Sequence, residues 1–231
     1  MWASKLDLRC AVVLTLLLAL AACGRSGPPA QGEEASARAD LSPPAATPSA
    51  EPGRLTASAP RPTQPGVLAL RGDGPGLAFS VAPGLLATAS GRVGAVGGTI
   101  SLEGADGATL QARVLARNEP LGLALLVVLE GPVPEPLPFA SPSGLKAGDS
   151  VQGVGSPAAV FQRLRIDGRA VLLETDATPT SSAVGGPLLD RRRQVVGIAV
   201  VRPGREQAEF VAIDHVSDLI RSHGPQAARE R

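Results

Sequence analysis

The 231-residue chain has a formal net charge of +1, 2% aromatic residues, 27 glycines and 22 prolines. So small a net charge supplies no field for nucleic acid, and so much Gly and Pro argues against long helices. Its 2 cysteines, Cys10 and Cys23, both lie near the N-terminus, which excludes a disulfide-stapled domain or a thiolate metal site in the rest of the chain.

Lys5 and Arg9 precede an apolar run that ends in Leu20-Ala21-Ala22-Cys23. The run is shorter than the roughly 20 residues that span a bilayer and fits the apolar region of an export signal. Its ending resembles a bacterial lipobox. That resemblance implies a signal peptide over 1–22, lipidation at Cys23 and a cell envelope location, periplasm-facing or at the surface. Gly24, where an Asp would favour inner-membrane retention, leans the expectation towards the outer membrane. The other reading is an ordinary signal peptide cut near Ala22, with Cys23 incidental.

Residues 23–65 are expected to be a lipidated N-terminus and a disordered tether. They are rich in Pro, Ala and Ser, with Leu41 and Leu55 as the only large aliphatics, too little to bury for folding. From Val67 onward short apolar runs alternate with Gly, Pro or Asp punctuation, roughly every 8–12 residues, which is the signature of an all-β sandwich or barrel. Asp106-Gly107 and Asp167-Gly168 supply the positive φ that tight hairpins use. Leu110, Ala112 and Val114 alternate with Thr109, Gln111 and Arg113 across one strand. Only DHVSDLIRSHG looks helical, with Val216, Leu219 and Ile220 on one face. The domain is placed at 66–222 and a C-terminal tail at 223–231.

Five stretches in this order carry a resemblance to a known family: GLAFSVAPGLLATAS (76–90), RNEPLGLALL (117–126), GLKAGDSVQGVGSP (144–157), TDATPTSSAVGGPL (175–188), and QVVGIAV with FVAID near the end. They resemble the trypsin-like serine proteases, specifically the bacterial HtrA (Deg) group. The resemblance implies an all-β fold of two six-stranded barrels with reduced loops and a short C-terminal helix. It also places the family's catalytic His, Asp and Ser at Gly91, Gly122 and Val184. The former oxyanion loop falls on Ser182, Ala183, Val184 and Gly185, with Ser182 where the family has a glycine.

A serine hydroxyl becomes a useful nucleophile only when an imidazole takes its proton and a carboxylate orients that imidazole. Gly and Val supply none of these groups. The chain's 2 histidines, His215 and His223, both follow the nucleophile loop, and Lys146 is the only lysine beyond Lys5. The expectation is therefore a non-catalytic pseudoprotease without a triad. It needs no cofactor, metal or nucleic acid, and its partner would be an envelope protein or an extended peptide. Two alternatives stay open: an HtrA-type serine endopeptidase whose site is misaligned here or divergent, and a passive structural lipoprotein. Ser181 and Ser182 read as turn serines bonded to the backbone. Arg191-Arg192-Arg193 reads as a solvated hairpin tip, and His215 as a surface residue at a helix start. Glycine-rich 91–99 lacks the lysine and following helix of a phosphate loop. No PDZ domain fits after residue 222, so that mode of peptide recognition is not expected.

Overall fold

The computed structural model describes residues 64–72 and 74–227. The lipobox, Cys23 and the tether up to residue 63 lie outside the described residues, as do residues 228–231. Among the described residues twelve strands run in chain order: β1 (Val67–Arg71), β2 (Leu77–Ala82), β3 (Leu85–Ala89), β4 (Thr99–Glu103), β5 (Thr109–Asn118), β6 (Leu123–Glu130), β7 (Ser150–Gly153), β8 (Ala158–Asp167), β9 (Ala170–Thr175), β10 (Pro187–Leu189), β11 (Val195–Val200) and β12 (Glu209–Ala212). One helix, α1 (Asp214–Ala227), follows and runs past the boundary drawn at residue 222.

The strands close into two six-stranded antiparallel barrels, ordered β1-β2-β3-β6-β5-β4 and β10-β11-β12-β9-β8-β7. The hairpin glycines behave as their sequence implies, with φ of 82° at Gly107 and 62° at Gly168. Alternation explains the nearly unbroken apolar runs. In β6, Leu126 and Val128 fill the first barrel, whereas Leu123, Leu125 and Val127 face the other way into a seam shared with the second barrel. β11 divides too, though a register shift at Leu188/Leu189 opposite Val195 and Gly197 interrupts the alternation: Val196 and Ala199 enter the second barrel, while Val195, Ile198 and Val200 enter the seam. A strand buried on both faces cannot alternate with polar residues, so LALLVV and VVGIAV are apolar throughout. Val216 and Leu219 of α1 also join the seam, so the helix closes it from one side.

The connection between barrels is fastened at both ends. Leu137 N–H donates to Ser80 O (3.0 Å), and Ala140 N–H and Val195 N–H bond to Val195 O (2.9 Å) and Pro138 O (2.8 Å). The buried Ser80 hydroxyl donates to Pro134 O at 2.9 Å. Among the described residues no helix is long and apolar enough to cross a membrane.

Candidate functional site

Three loops meet where the two barrels abut. The first is the 3-10 turn Ser90–Arg92, which follows β3 and carries Gly91. The second is the 3-10 turn Glu119–Leu121, which ends on Gly122 just before β6. The third is the 3-10 turn Ser181–Ala183, followed by Val184 and by β10. Backbone bonds fix their meeting: Ser90 N–H donates to Gly122 O (2.8 Å), and Leu77 N–H donates to Val184 O (2.9 Å). Arg92 of the first loop reaches the third, its Nη2 donating to Ser181 O at 3.1 Å. Gly91, Gly122 and Val184, distant in sequence, thus belong to one convergence of loops.

Each position has its own local reason. Val184 is 2% exposed and packs in the seam, so its isopropyl group completes an apolar layer. Gly122 caps its turn at φ 70°, the left-handed region, where a β-carbon would sit 3.1 Å from Val201 O and 3.3 Å from Val200 Cβ. Gly91 has open space around it. The two glycines after Val184 are sterically required. At Gly185, with φ 88°, a β-carbon would fall 2.0 Å from Leu77 O and 2.6 Å from Thr88 Oγ1. At Gly186 it would meet Leu77 Cδ1 at 2.8 Å. Thr88 seals this contact from beneath, its buried hydroxyl donating to Leu77 O at 2.7 Å. Packing between barrels requires glycine at both positions, whatever occupies the position before them.

The polar groups at the convergence hold loops together. Arg117 donates through Nη1 to Val93 O (3.3 Å) and Gly94 O (2.7 Å) and through Nη2 to Ser90 O (3.0 Å). Its Nε lies 2.6 Å from Glu119 Oε1, and Glu119 Oε2 accepts from the buried Ser90 hydroxyl at 3.1 Å. The Ser182 hydroxyl meets the Thr180 hydroxyl at 3.1 Å rather than the backbone expected from the turn-serine reading. Among the described non-glycine residues only Arg193 has positive φ, so Ser182 sits in the ordinary region rather than in a glycine-like one. The histidines lie on α1. His215 Nε2 accepts from Val171 N–H at 3.0 Å, so it ties the helix to β9 instead of standing free, and His223 Nδ1 meets Leu219 O at 3.1 Å.

A cavity of about 520 Å³ opens on the second barrel between residues 175–179 and 204–210, with Glu174, Thr178, Arg205 and Phe210 among its walls. Its charged rim belongs to an ion network that the sequence reading did not find. Arg202 donates to Glu209 Oε2 (2.9 Å) and Asp167 Oδ2 (2.7 Å). Arg205 also bonds Asp167, at 2.5 Å. Arg165 pairs with Glu209 at 3.0 Å and Glu174 at 2.7 Å, and Arg163 bonds Glu174 at 2.5 Å. The hydrogen bond from Arg202 leads in holding the Asp167 carboxyl below its ordinary range. The bond from Arg163 leads for Glu174, also lowered. Burial works against the Arg202 charge, but its bonds to Asp167 and Glu209 outweigh it and raise its pKa. The only hint in sequence was the alternation of Arg163, Arg165 and Asp167 along β8, which puts three charges on one face.

A family model described as trypsin-like peptidase domain matches residues 76–198. The chain belongs to the trypsin-like peptidase family. The match spans β2 to β11, and with it all three converging loops. Among solved structures, the inactive form of the Rv3671c protease aligns with a TM-score of 0.56 and 22% identity, covering 70% of this chain and 90% of that one. A serine-to-alanine mutant of Rv3671c from M. tuberculosis H37Rv aligns with the same TM-score and identity, over 70% of this chain and 87% of that one. At this identity these neighbours speak to the fold. No curated protein matches the chain at a significant level.

Proposed function

We propose that this trypsin-like domain is a pseudoprotease of the HtrA-like group that binds an extended peptide or a partner protein without cleaving it. The observation carrying this reading is the convergence of Gly91, Gly122 and Val184, which offers no proton acceptor, no orienting carboxylate and no hydroxyl where the family's chemistry needs them. The groups that could substitute are engaged elsewhere. The Ser90 hydroxyl is 3% exposed and bonded to Glu119, and both histidines are on α1. What remains is a wall between barrels that runs out at the exposed Val201, the residue after the last paired position of β11, Val200. Past that last paired residue an extended peptide could be held by main-chain pairing.

The same reading makes the protein an envelope lipoprotein, with Cys23 acylated and the domain held off the membrane by residues 24–65. Each acyl methylene contributes about 0.8 kcal/mol of anchoring. Labelled palmitate should enter the full chain and fail to enter Cys23→Ser.

The function is tested by pairing a chemical assay with a capture assay. The folded protein should neither hydrolyse a denatured protein substrate nor take a fluorophosphonate label. Crosslinking in intact cells should retrieve one envelope protein with the full chain but not with the lipidated tether, and Val201→Asp should abolish that capture. Hydrolysis or labelling would instead favour the divergent endopeptidase. Absence of any capture above the tether control would favour a passive structural role.

A further inference from the structure

The β8–β9 hairpin is the least enclosed part of the second barrel. β7 pairs with β8 only along Ala158, Ala159 and Val160, extended by the bonds Phe161 N–H to Asp149 O (2.8 Å) and Gly148 N–H to Phe161 O (2.9 Å). The chain then turns away, with Asp149 N–H donating back to Lys146 O at 2.9 Å. Beyond that point β8 continues to Asp167 with β9 on one side only, paired from Arg163↔Glu174 to Asp167↔Ala170. Among the described residues no strand pairs with the other side of residues 163–167. An open strand edge presents a row of unpaired N–H and C=O groups and is a template for another strand.

Apart from its charged residues, this edge carries none of the usual blocks. The stretch holds no Pro, no Lys and no bulge after Arg163. Leu164 is 38% exposed and Ile166 77%, both on the face shared with Leu173 and Val171. Arg163, Arg165 and Asp167 occupy the opposite face, where they join the ion network.

We propose that two copies of this chain associate through this edge, β8 against β8 in antiparallel, about a two-fold axis passing at Arg165. The sequence RLRID is complementary to itself in that register. Directly opposed residues lie on one face of an antiparallel pair, so Leu164 of one copy faces Ile166 of the other, twice. On the other face Arg163 meets Asp167, also twice. Arg165 opposes its own copy, and each guanidinium brings its own counter-charges, Glu174 and Glu209. A shift by one residue would set Leu and Ile against charged side chains, so the pattern itself fixes the register. The contact is isologous and closed, hence a dimer rather than a fibre.

The proposal does not depend on whether the cleft is catalytic. Its test uses the full chain carrying either of two affinity tags, co-expressed and solubilised in mild detergent. Parental copies should co-purify. Arg163→Asp paired with itself sets Asp against Asp167, and Asp167→Arg paired with itself sets Arg163 against Arg. Each of these should lose co-purification about tenfold. Arg163→Asp paired with Asp167→Arg restores both opposite-charge contacts and should regain it. Ile166→Lys, which leaves the charged face intact, should lose it in every pairing. Far-UV circular dichroism confirms that each variant is folded. Failure of parental copies to co-purify would overturn the proposal. So would charge variants that self-associate like the parent, or a mixed pair of folded variants that fails to recover.

Discussion

The turn at 181–186 and the ion network around Arg202 lie in the same barrel and are stabilised by opposite means. The turn is fixed by backbone contacts and by atoms that have no room to move: Val184 O on Leu77 N–H, and Gly185 against Leu77 O. The network consists of long side chains at a partly wet surface, with Arg163 71% and Arg205 48% exposed. The 181–186 turn therefore welds the barrels together, a role independent of chemistry. Polar side chains have been placed instead on an outer face. If that contrast is right, small changes in the turn cost far more than large changes in the network.

Gly185→Ala tests the turn most severely. The added methyl would need Leu77 O to move from 2.0 Å, at a residue with φ of 88°, combining left-handed strain with a backbone clash. The expected loss is about 4 kcal/mol or more, enough to leave the domain unfolded at physiological temperature. Melting followed by far-UV circular dichroism is the suitable measurement, since the chain has 1 Trp, at position 2, and 0 Tyr. A Tm within a few degrees of the parent would show that the barrels can separate at this point and that the weld is weaker than argued.

Val184 gives the next effect. Val184→Ala removes two methyl groups from a residue that is 2% exposed in the seam. It should cost about 2 kcal/mol from lost burial plus the cavity left behind. Val184→Ser loses similar apolar surface and buries a hydroxyl, adding about 1–3 kcal/mol if that hydroxyl finds no partner. It should gain no measurable hydrolysis, because both histidines lie on α1, bonded to Val171 N–H and Leu219 O. Equal stability of the serine variant and the parent, by chemical denaturation, would mean that the position still has a polar environment.

The network should respond more gently and to different variables. Asp167 and Glu174 have lowered pKa values in the folded chain. A lowered carboxylate contributes stability that is fully present above its unfolded value, near pH 4, and is lost as pH falls through the lower folded value. The parent should therefore lose Tm on acidification below about pH 4, and high salt should reduce that loss by screening. In Arg202→Met the strongest partner of Asp167 is gone, so the acid limb should become shallower while Glu174, bonded first to Arg163, keeps its share. At neutral pH the same variant should melt only a few degrees lower. An unchanged acid limb would detach Asp167 from the account.

Legibility in the sequence followed the same division. The barrels were readable because the strands announce themselves by turn punctuation at hairpins such as Asp106-Gly107 and by apolar runs. The convergence of Gly91, Gly122 and Val184 was readable only through the family resemblance, since two glycines and a valine carry no chemical signal. Arg117 and Arg92 escaped notice because, Glu119 apart, their partners are backbone carbonyls of distant loops, which no spacing encodes. His215 looked like a surface residue because its acceptor role depends on Val171 lying beneath the helix. The ion network was hidden for a related reason: its members come from β8, β9, the 201–208 loop and β12, and only the closed barrel makes them neighbours.

The hairpin tip at 190–194 offers the smallest effect and the finest test of how far the contrast extends. Asp190 organises it, its Oδ1 accepting from Arg192 N–H and Gln194 N–H at 2.8 Å each. Arg193 sits at φ 61°, where a side chain costs about 1–2 kcal/mol relative to glycine. Arg193→Gly removes that strain. It also loosens the unfolded chain, by roughly 0.5–1 kcal/mol, and deletes the bond from Arg193 Nη2 to Gln64 Oε1 at 3.1 Å, worth about 0.5–1 kcal/mol at a partly buried site. The three terms nearly cancel, so the variant should lie within about 0.5 kcal/mol of the parent. Asp190→Ala, which frees two backbone donors at once, should cost about 1–2 kcal/mol. A clear gain in the glycine variant would show that the Gln64 contact contributes little. A clear loss would show that Arg193 fastens the start of the domain to the second barrel, extending the weld to this hairpin tip.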